Sequence, residues 1–355
     1  MSAHGAAAER SAPAPFALSE PFEGRGIDPS LLAMTGLEQV RTHIRGEGPA
    51  VPISVLFGMR PVEADVGSAV FAMPASGWLL GADGLPQAGV LAPLADAAHS
   101  SAIATTFGRG SALATLCLTM SYVARLEAGA EELVCHARVE RRGADDVVHS
   151  SAEIVDERGS LLAHSTARCS VFPLPGVEGG GEPGDRTGKP LPRGSAADPA
   201  PGTEARGEPL PERVWKTSTG ADVLGRLCSE SAPLPPIHHL TGLRAVAAHD
   251  GEVRMSLPAT TWISSILRQV QGGALAMLAE SAVDAAVLAT LDAGGTRETV
   301  ELRVDFLRKV PAGDEVLDAT ASLVHRGRNF AFGSCTVSSA ERGPVATATS
   351  VHRRG

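Results

Sequence analysis

Two carboxylates in this chain are placed where they could do chemistry. Glu280 follows Gln271 by nine positions, after the turn Gln271-Gly272-Gly273, and Asp96 follows Gln87 by nine, after Gln87-Ala88-Gly89. Both lie in Ala- and Leu-rich stretches that read as helices, 87–106 and 271–291. The start of a helix offers unpaired N–H groups, reinforced by the helix dipole, that polarise a carbonyl oxygen. At Gly272 and Gly273 no Cβ keeps the backbone away from a bound group. A carboxylate within reach of that carbonyl activates a water or attacks directly. The spacing sets a condition, however. The rise from Gly272 to Glu280 is about 12 Å, so Glu280 cannot serve a carbonyl held at its own helix start. Either the chain bends there, or the site lies across an interface. Asp284 comes one turn later on the same face, and two carboxylates so close raise the pKa of one of them. Its alternative is a solvent-facing or loop-capping residue.

The elements that must position these groups occur twice. A shift of 184 positions lays the stretch from Pro52 to about Arg168 over Pro236 to His352 without a gap. Gly58/Gly242, Arg60/Arg244, Pro74/Pro258, Trp78/Trp262, Gln87/Gln271, Gly89/Gly273, Thr115/Thr299 and Gly129/Gly313 all coincide. A period this long means two copies of a whole domain and no solenoid. Asp284 pairs with Ser100 in this register, so the copies have diverged. Pro93, three residues before Asp96, is costly in a helix interior and marks repeat one as the more degenerate copy.

Each repeat reads as a short strand (51–61 and 239–246), a second strand ended by Pro74 or Pro258, the apolar helix, and three or four further strands. Alternation is clearest in Thr299-Val300-Glu301-Leu302-Arg303-Val304-Asp305-Phe306. A helix apolar nearly all round is a buried helix, so the fold class is α+β, with one long helix wrapped by a curved antiparallel sheet. The domains follow as 26–173 and 213–355. Residues 1–25 read as disordered, and 174–212, dense in Gly, Pro and charge, as a flexible linker.

Composition narrows the function classes. The 355 residues carry 31 basic and 40 acidic side chains, a formal charge of −9 with no basic block, which argues against a nucleic-acid partner. Five cysteines without a C-x-x-C pair read as reduced thiols of a cytoplasmic protein. The N-terminus lacks a signal-peptide pattern, and the most apolar run carries Glu280 and Asp284 in its middle, against a membrane span.

The joint pattern resembles a family. In repeat two it runs Gln271-Gly272-Gly273, Glu280, Thr299 through Arg308, then Gly313-Asp314; in repeat one, Gln87-Ala88-Gly89, Asp96, Thr115, Leu118, Gly129. This is similar to the hotdog-fold thioesterases of the PaaI-like and 4-hydroxybenzoyl-CoA type, here in tandem form. The resemblance implies an acyl-CoA or acyl-pantetheine substrate, no cofactor, and an intramolecular pseudo-dimer that stands in for the family's dimer, open to further homo-oligomerisation. It also implies that turn and acid come from opposite halves, Glu280 with the Gln87 turn and Asp96 with the Gln271 turn. Thr115 and Thr299 match a strand hydroxyl that holds water in some members, while β-propensity is the plainer reason for a Thr there. The family's usual His before the two glycines is Gln in both repeats.

Weaker candidates remain. His99 makes an Asp-x-x-His spacing with Asp96, but no third metal ligand is evident. His238 and His239 read as capping or surface residues, and Trp78 and Trp262 as core anchors, with an acyl-pocket wall as the alternative. Arg326 and Arg328 either contact phosphates or solubilise a hairpin turn. A hydratase pairing Asp with His five residues on is disfavoured, since Ser101 and Ala285 occupy those positions. A non-catalytic acyl-binding or assembly module is the other alternative.

Overall fold

In the computed structural model, which describes residues 31, 33–127, 129–143, 145–174, 204–249 and 251–355, the strands of both repeats form one twelve-stranded antiparallel sheet. The segment 1–25 and residues 175–203 of the expected linker lie outside the described residues. Repeat one consists of α1 (Gly36–Ile44), α2 (Pro52–Phe57), β1 (Arg60–Asp65), β2 (Ser68–Pro74), α3 (Leu91–Ala104), β3 (Ser111–Tyr122), β4 (Glu132–Arg142), β5 (Val147–Asp156) and β6 (Leu161–Pro173). Repeat two consists of α4 (Glu212–Thr217), α5 (Gly220–Cys228), α6 (Pro236–Thr241), β7 (Arg244–His249), β8 (Glu252–Pro258), α7 (Gly272–Leu288), β9 (Arg297–Phe306), β10 (Val316–Arg326), β11 (Phe330–Ser339) and β12 (Gly343–Arg354).

The sheet order is β1-β2-β4-β5-β6-β3-β9-β12-β11-β10-β8-β7, the two halves mirrored about a β3–β9 seam. Across that seam Leu118 faces Val304 and Met120 faces Leu302, all four fully buried. Helix α3 lies on β2, β4 and β5, helix α7 on β8, β10 and β11, and the two helices pack on each other. Burial explains their composition: from Gly273 to Leu288 every residue of α7 but Asp284 is buried. Such a helix is held by packing against the sheet on one side and its twin on the other.

Several expectations need correction. The stretches 51–61 and 239–246 begin as helices and only then become strands. Pro52 and Pro236 sit in the first helical turn, where a missing N–H costs nothing. Gly58 and Gly242 end those turns in the left-handed region at φ 68° and 82°, which a residue with Cβ avoids. The repeat also starts earlier than Pro52. Thr35 with Glu38, and Thr219 with Asp222, form capping boxes at the starts of α1 and α5. A Cβ on Gly36 would lie 1.7 Å from the Ala104 carbonyl oxygen, and one on Gly220 1.8 Å from that of Leu288. These glycines let each capped helix abut the end of its long helix.

Pro93 is not a mid-helix breaker: it is the third residue of α3, within the first turn, whose N–H groups have no helical partner anyway. Residues 204–212, assigned to the linker by composition, are packed. The Leu210 side chain is buried, its N–H donates to the Ala82 carbonyl at 2.8 Å, and the Glu208 N–H donates to Leu234 O at 3.1 Å. A single leucine among Gly, Pro and charge anchors this end, with about 1.5–3 kcal/mol available from its burial.

Candidate active site

Where α3 and α7 cross, each brings its carboxylate to the other repeat's glycine turn. Glu280 is 2% exposed. Its Oε2 accepts the Gly89 N–H at 3.2 Å, and its Oε1 accepts the Thr299 hydroxyl at 2.6 Å. Asp96 is 3% exposed, with Oδ2 accepting the Gly273 N–H at 3.0 Å and Oδ1 the Thr115 hydroxyl at 3.0 Å. The two threonines therefore orient carboxylates. The glycines permit the crossing. A Cβ on Gly89 would stand 2.8 Å from Glu280 Oε2 and 3.2 Å from Met277 Cα, and one on Gly273 would stand 2.5 Å from Pro93 Cα. A Cβ on Gly272 would sit 3.2 Å from Asp96 Oδ2.

Beyond this shared plan the two sites differ. The Glu280 site opens into a cavity of about 380 Å³. Its apolar lining includes Leu91, Leu126, Leu224, Leu227, Met255 and Leu288, and its polar lining Gln87, Tyr122, Ser281, Asp284, Arg297 and Thr299. The Ser281 hydroxyl donates to Met277 O at 2.9 Å and lies 3.3 Å from Gln87 Oε1. Gln271 belongs to the other site. Its Nε2 donates to the Pro93 carbonyl at 3.2 Å, and its Oε1 is buried without a partner among the described residues. Around Asp96 the register replaces Ser281, Asp284 and Arg297 with Ala97, Ser100 and Leu113.

Asp284 is neither a solvent-facing residue nor a cap. It accepts from Arg297 at 2.6 and 2.9 Å. Arg297 stands 4.0 Å from Asp83 as well, and its guanidinium lies over the Trp215 ring at 5.9 Å. Electrostatics follow from this geometry. Burial, followed by the Asp284 charge, pushes the Glu280 carboxyl up to about 8, against the opposing pull of Thr299, Arg297 and the Gly89 N–H. Burial also raises Asp96, opposed by the Gly273 N–H, Thr115 and Gly272. A carboxyl raised into the working pH range is suited to proton transfer.

The other candidates settle as follows. His99 is held between the Ser150 and Ser165 hydroxyls at 2.7 and 2.9 Å, and burial lowers it to about 3, so it is a neutral core residue. Among the described residues no group of His, Cys, Asp and Glu could hold a metal ion. His238 is buried and lines the cavity, contrary to a surface role, because α6 turns it inward. Trp78 and Trp262 are core residues. Arg326 donates to the Thr290 carbonyl at 3.0 Å and so ties a hairpin to the end of α7. All five cysteines are free thiols, and no helix among the described residues is long and apolar enough to cross a membrane.

Sequence reasoning missed Tyr122, Ser281, Arg297 and Asp83. Each lacks a motif, and only the fold gathers them. The clue available was asymmetry, since Ser281 and Arg297 are polar where repeat one has Ala97 and Leu113, and Asp284 is charged where it has Ser100.

Comparison with known proteins bears on the family and the fold of both repeats. The model of the thioesterase superfamily matches residues 270–346, and that of the acyl-CoA thioesterase C-terminal domain matches residues 54–170. Together they take in more than half of the chain and both repeats, a coarser placement than the PaaI-like resemblance. No curated protein matches the chain. Among solved structures, a thioesterase-like protein from Novosphingobium aromaticivorans aligns at 15% identity and a TM-score of 0.51 over 82% of this chain and 97% of its own. A hot dog fold protein from Alicyclobacillus acidocaldarius aligns at 16% identity and a TM-score of 0.51 over 85% and 97%. At such identities these likenesses speak to the fold, and they extend across both repeats.

Proposed function

Since the chain belongs to the hotdog-fold thioesterase superfamily, acting as an acyl-CoA hydrolase, we propose that hydrolysis takes place at the Glu280 site, with Glu280 as general base. The observation that carries this reading is a buried carboxylate fixed by Thr299 and by the Gly89 N–H of the opposite repeat, at the wall of a cavity large enough for an acyl group. Glu280 takes a proton from water as the oxygen bonds to the thioester carbon. The tetrahedral intermediate then collapses, the C–S bond breaks, and the departing thiolate takes up the proton held by Glu280, leaving acid, free thiol and the ionised carboxylate. The Gly89 N–H, at a long 3.2 Å from Oε2 and at the start of the repeat-one helix, is shared with the incoming carbonyl. Gln87, at the sequence position of the family's His, lines the same cavity.

The leucines and Met255 receive the acyl chain, and the exposed Arg125 and Arg353 at the cavity lining face the phosphates of the carrier. Asp96 holds the same hydrogen bonds but lacks the surrounding polar groups, so within this reading it fixes the helix crossing and turns over little or no substrate. Reduced cysteines accord with a cytoplasmic setting. A panel assay tests the reading: free thiol released from acyl-CoAs of graded chain length by the purified full-length protein, with hydration of enoyl-CoAs scored in parallel. Thiol release with saturable kinetics supports it. Hydration without thiol release, or neither, overturns it.

A further inference from the structure

Tyr122 is the chain's only tyrosine. It ends β3, the seam strand of repeat one, and lines the same cavity as Glu280, Gln87 and Ala88. Its hydroxyl oxygen is buried yet has no hydrogen-bond partner among the described residues. An unpaired buried hydroxyl costs about 1–3 kcal/mol, so its retention calls for an explanation.

The repeat supplies one. In the register that superposes Glu280 on Asp96 and Gly272 on Ala88, Tyr122 falls on Phe306. At the Asp96 site, a Cβ on Gly272 would meet Phe306 Cζ and Asp96 Oδ2, each at 3.2 Å. The tip of that ring and the carboxylate thus converge on one point of the glycine turn. At the Glu280 site the corresponding ring tip carries an oxygen, and the ring lies close enough to Glu280 for the carboxylate's charge, after burial, to raise the phenol pKa further. The phenol therefore stays protonated and can only donate to an oxyanion. The copy with an open cavity has the hydroxyl; the copy without the polar surround has Phe.

We propose that Tyr122 is a catalytic residue of the Glu280 site, its Oη–H donating to the thioester carbonyl oxygen as that oxygen becomes an oxyanion. This rests on the hydrolase reading above. The Gly89 N–H is divided between Glu280 and the carbonyl, and neither glycine turn has the family's His, so Tyr122 supplies a donor with no competing partner.

The experiment compares Tyr122→Phe, Glu280→Gln and parent protein for thiol release from one acyl-CoA, with KM, kcat and melting temperature measured for each. The Phe variant keeps the ring and adopts the residue that repeat two already carries, so its melting temperature should not fall. Its kcat should drop about 100-fold, the scale for loss of one oxyanion donor, with KM within about threefold of the parent. A kcat within about threefold of the parent, beside a Glu280→Gln protein that has lost activity, overturns the Tyr122 proposal and leaves the hydrolase reading standing. So does an unchanged kcat with a raised KM, which is ground-state binding. A parent that releases no thiol overturns the reading and the proposal together.

Discussion

Replacing Asp284 with Asn should move the pH–activity profile toward acid. Asp284 lies one helical turn from Glu280, where side chains are about 5–6 Å apart. Two unit charges about 6 Å apart at an effective dielectric of about 20 repel by about 2.8 kcal/mol, equivalent to about two pH units on the Glu280 titration. Arg297, at 2.6 Å from Asp284, already screens part of that repulsion. The Asn variant removes the negative charge and leaves the Arg297 charge opposed only by Asp83 at 4.0 Å, so both changes favour the Glu280 carboxylate. The sign is fixed: the base works ionised, activity rises as pH passes through a pKa of about 8, and the variant's rising limb should lie about one to two pH units lower. At pH 7 the ionised fraction would rise several-fold, partly offset by the weaker base. Asn is isosteric and still accepts from Arg297, which guards against misfolding. The assay is kcat/KM for thiol release from pH 5.5 to 9.5, corrected for spontaneous hydrolysis. A limb that stays in place, or moves to higher pH, would refute the electrostatic reasoning.

Two further substitutions separate the sites and test the crossing. Gln87→Ala should lower kcat by about 10- to 100-fold through loss of the side chain beside the carbonyl, whereas Gln271→Ala should leave kcat within about threefold; steady-state kinetics on both proteins decide this. Gly89→Ala places a methyl 2.8 Å from Glu280 Oε2 and 3.2 Å from Met277. It should cost about 1–3 kcal/mol of stability as well as activity, read by chemical denaturation.

The tandem fold was legible because backbone requirements repeat. Proline stops, glycine turns and an apolar helix recur at one spacing, and apolarity all round marked the long helices as buried. The starts of the short strands were misread because Pro52-Ile53-Ser54-Val55-Leu56-Phe57 is as apolar as a strand, and only the Gly58 C-cap reveals a helical turn. The packing of 204–212 was hidden for a related reason: one anchoring leucine does not alter the composition of a Gly/Pro-rich segment. Within the site, Glu280, Asp96 and the glycine turns could be named because their spacing from the helix start is rigid. Arg297 and Tyr122 could not, since they arrive on strands from opposite sides of the seam and owe their position to the β3–β9 pairing. The assignment of Gln271 and Gln87 to different sites followed from helix rise and the family's composite arrangement. That Gln87 is the one beside the open cavity needed coordinates.

The central claim is that one carboxylate of the pseudo-symmetric pair, Glu280, performs the hydrolysis. Its most direct test is the single-turnover rate of thiol release by Glu280→Gln and by Asp96→Asn, each a shape-conserving loss of one carboxylate, on folded proteins of verified melting behaviour. The expected fall is about 10²–10⁴ for Glu280→Gln, the range for loss of a general base, and less than about tenfold for Asp96→Asn. Glu280→Gln running at the parental rate, or Asp96→Asn suffering the larger loss, would contradict it.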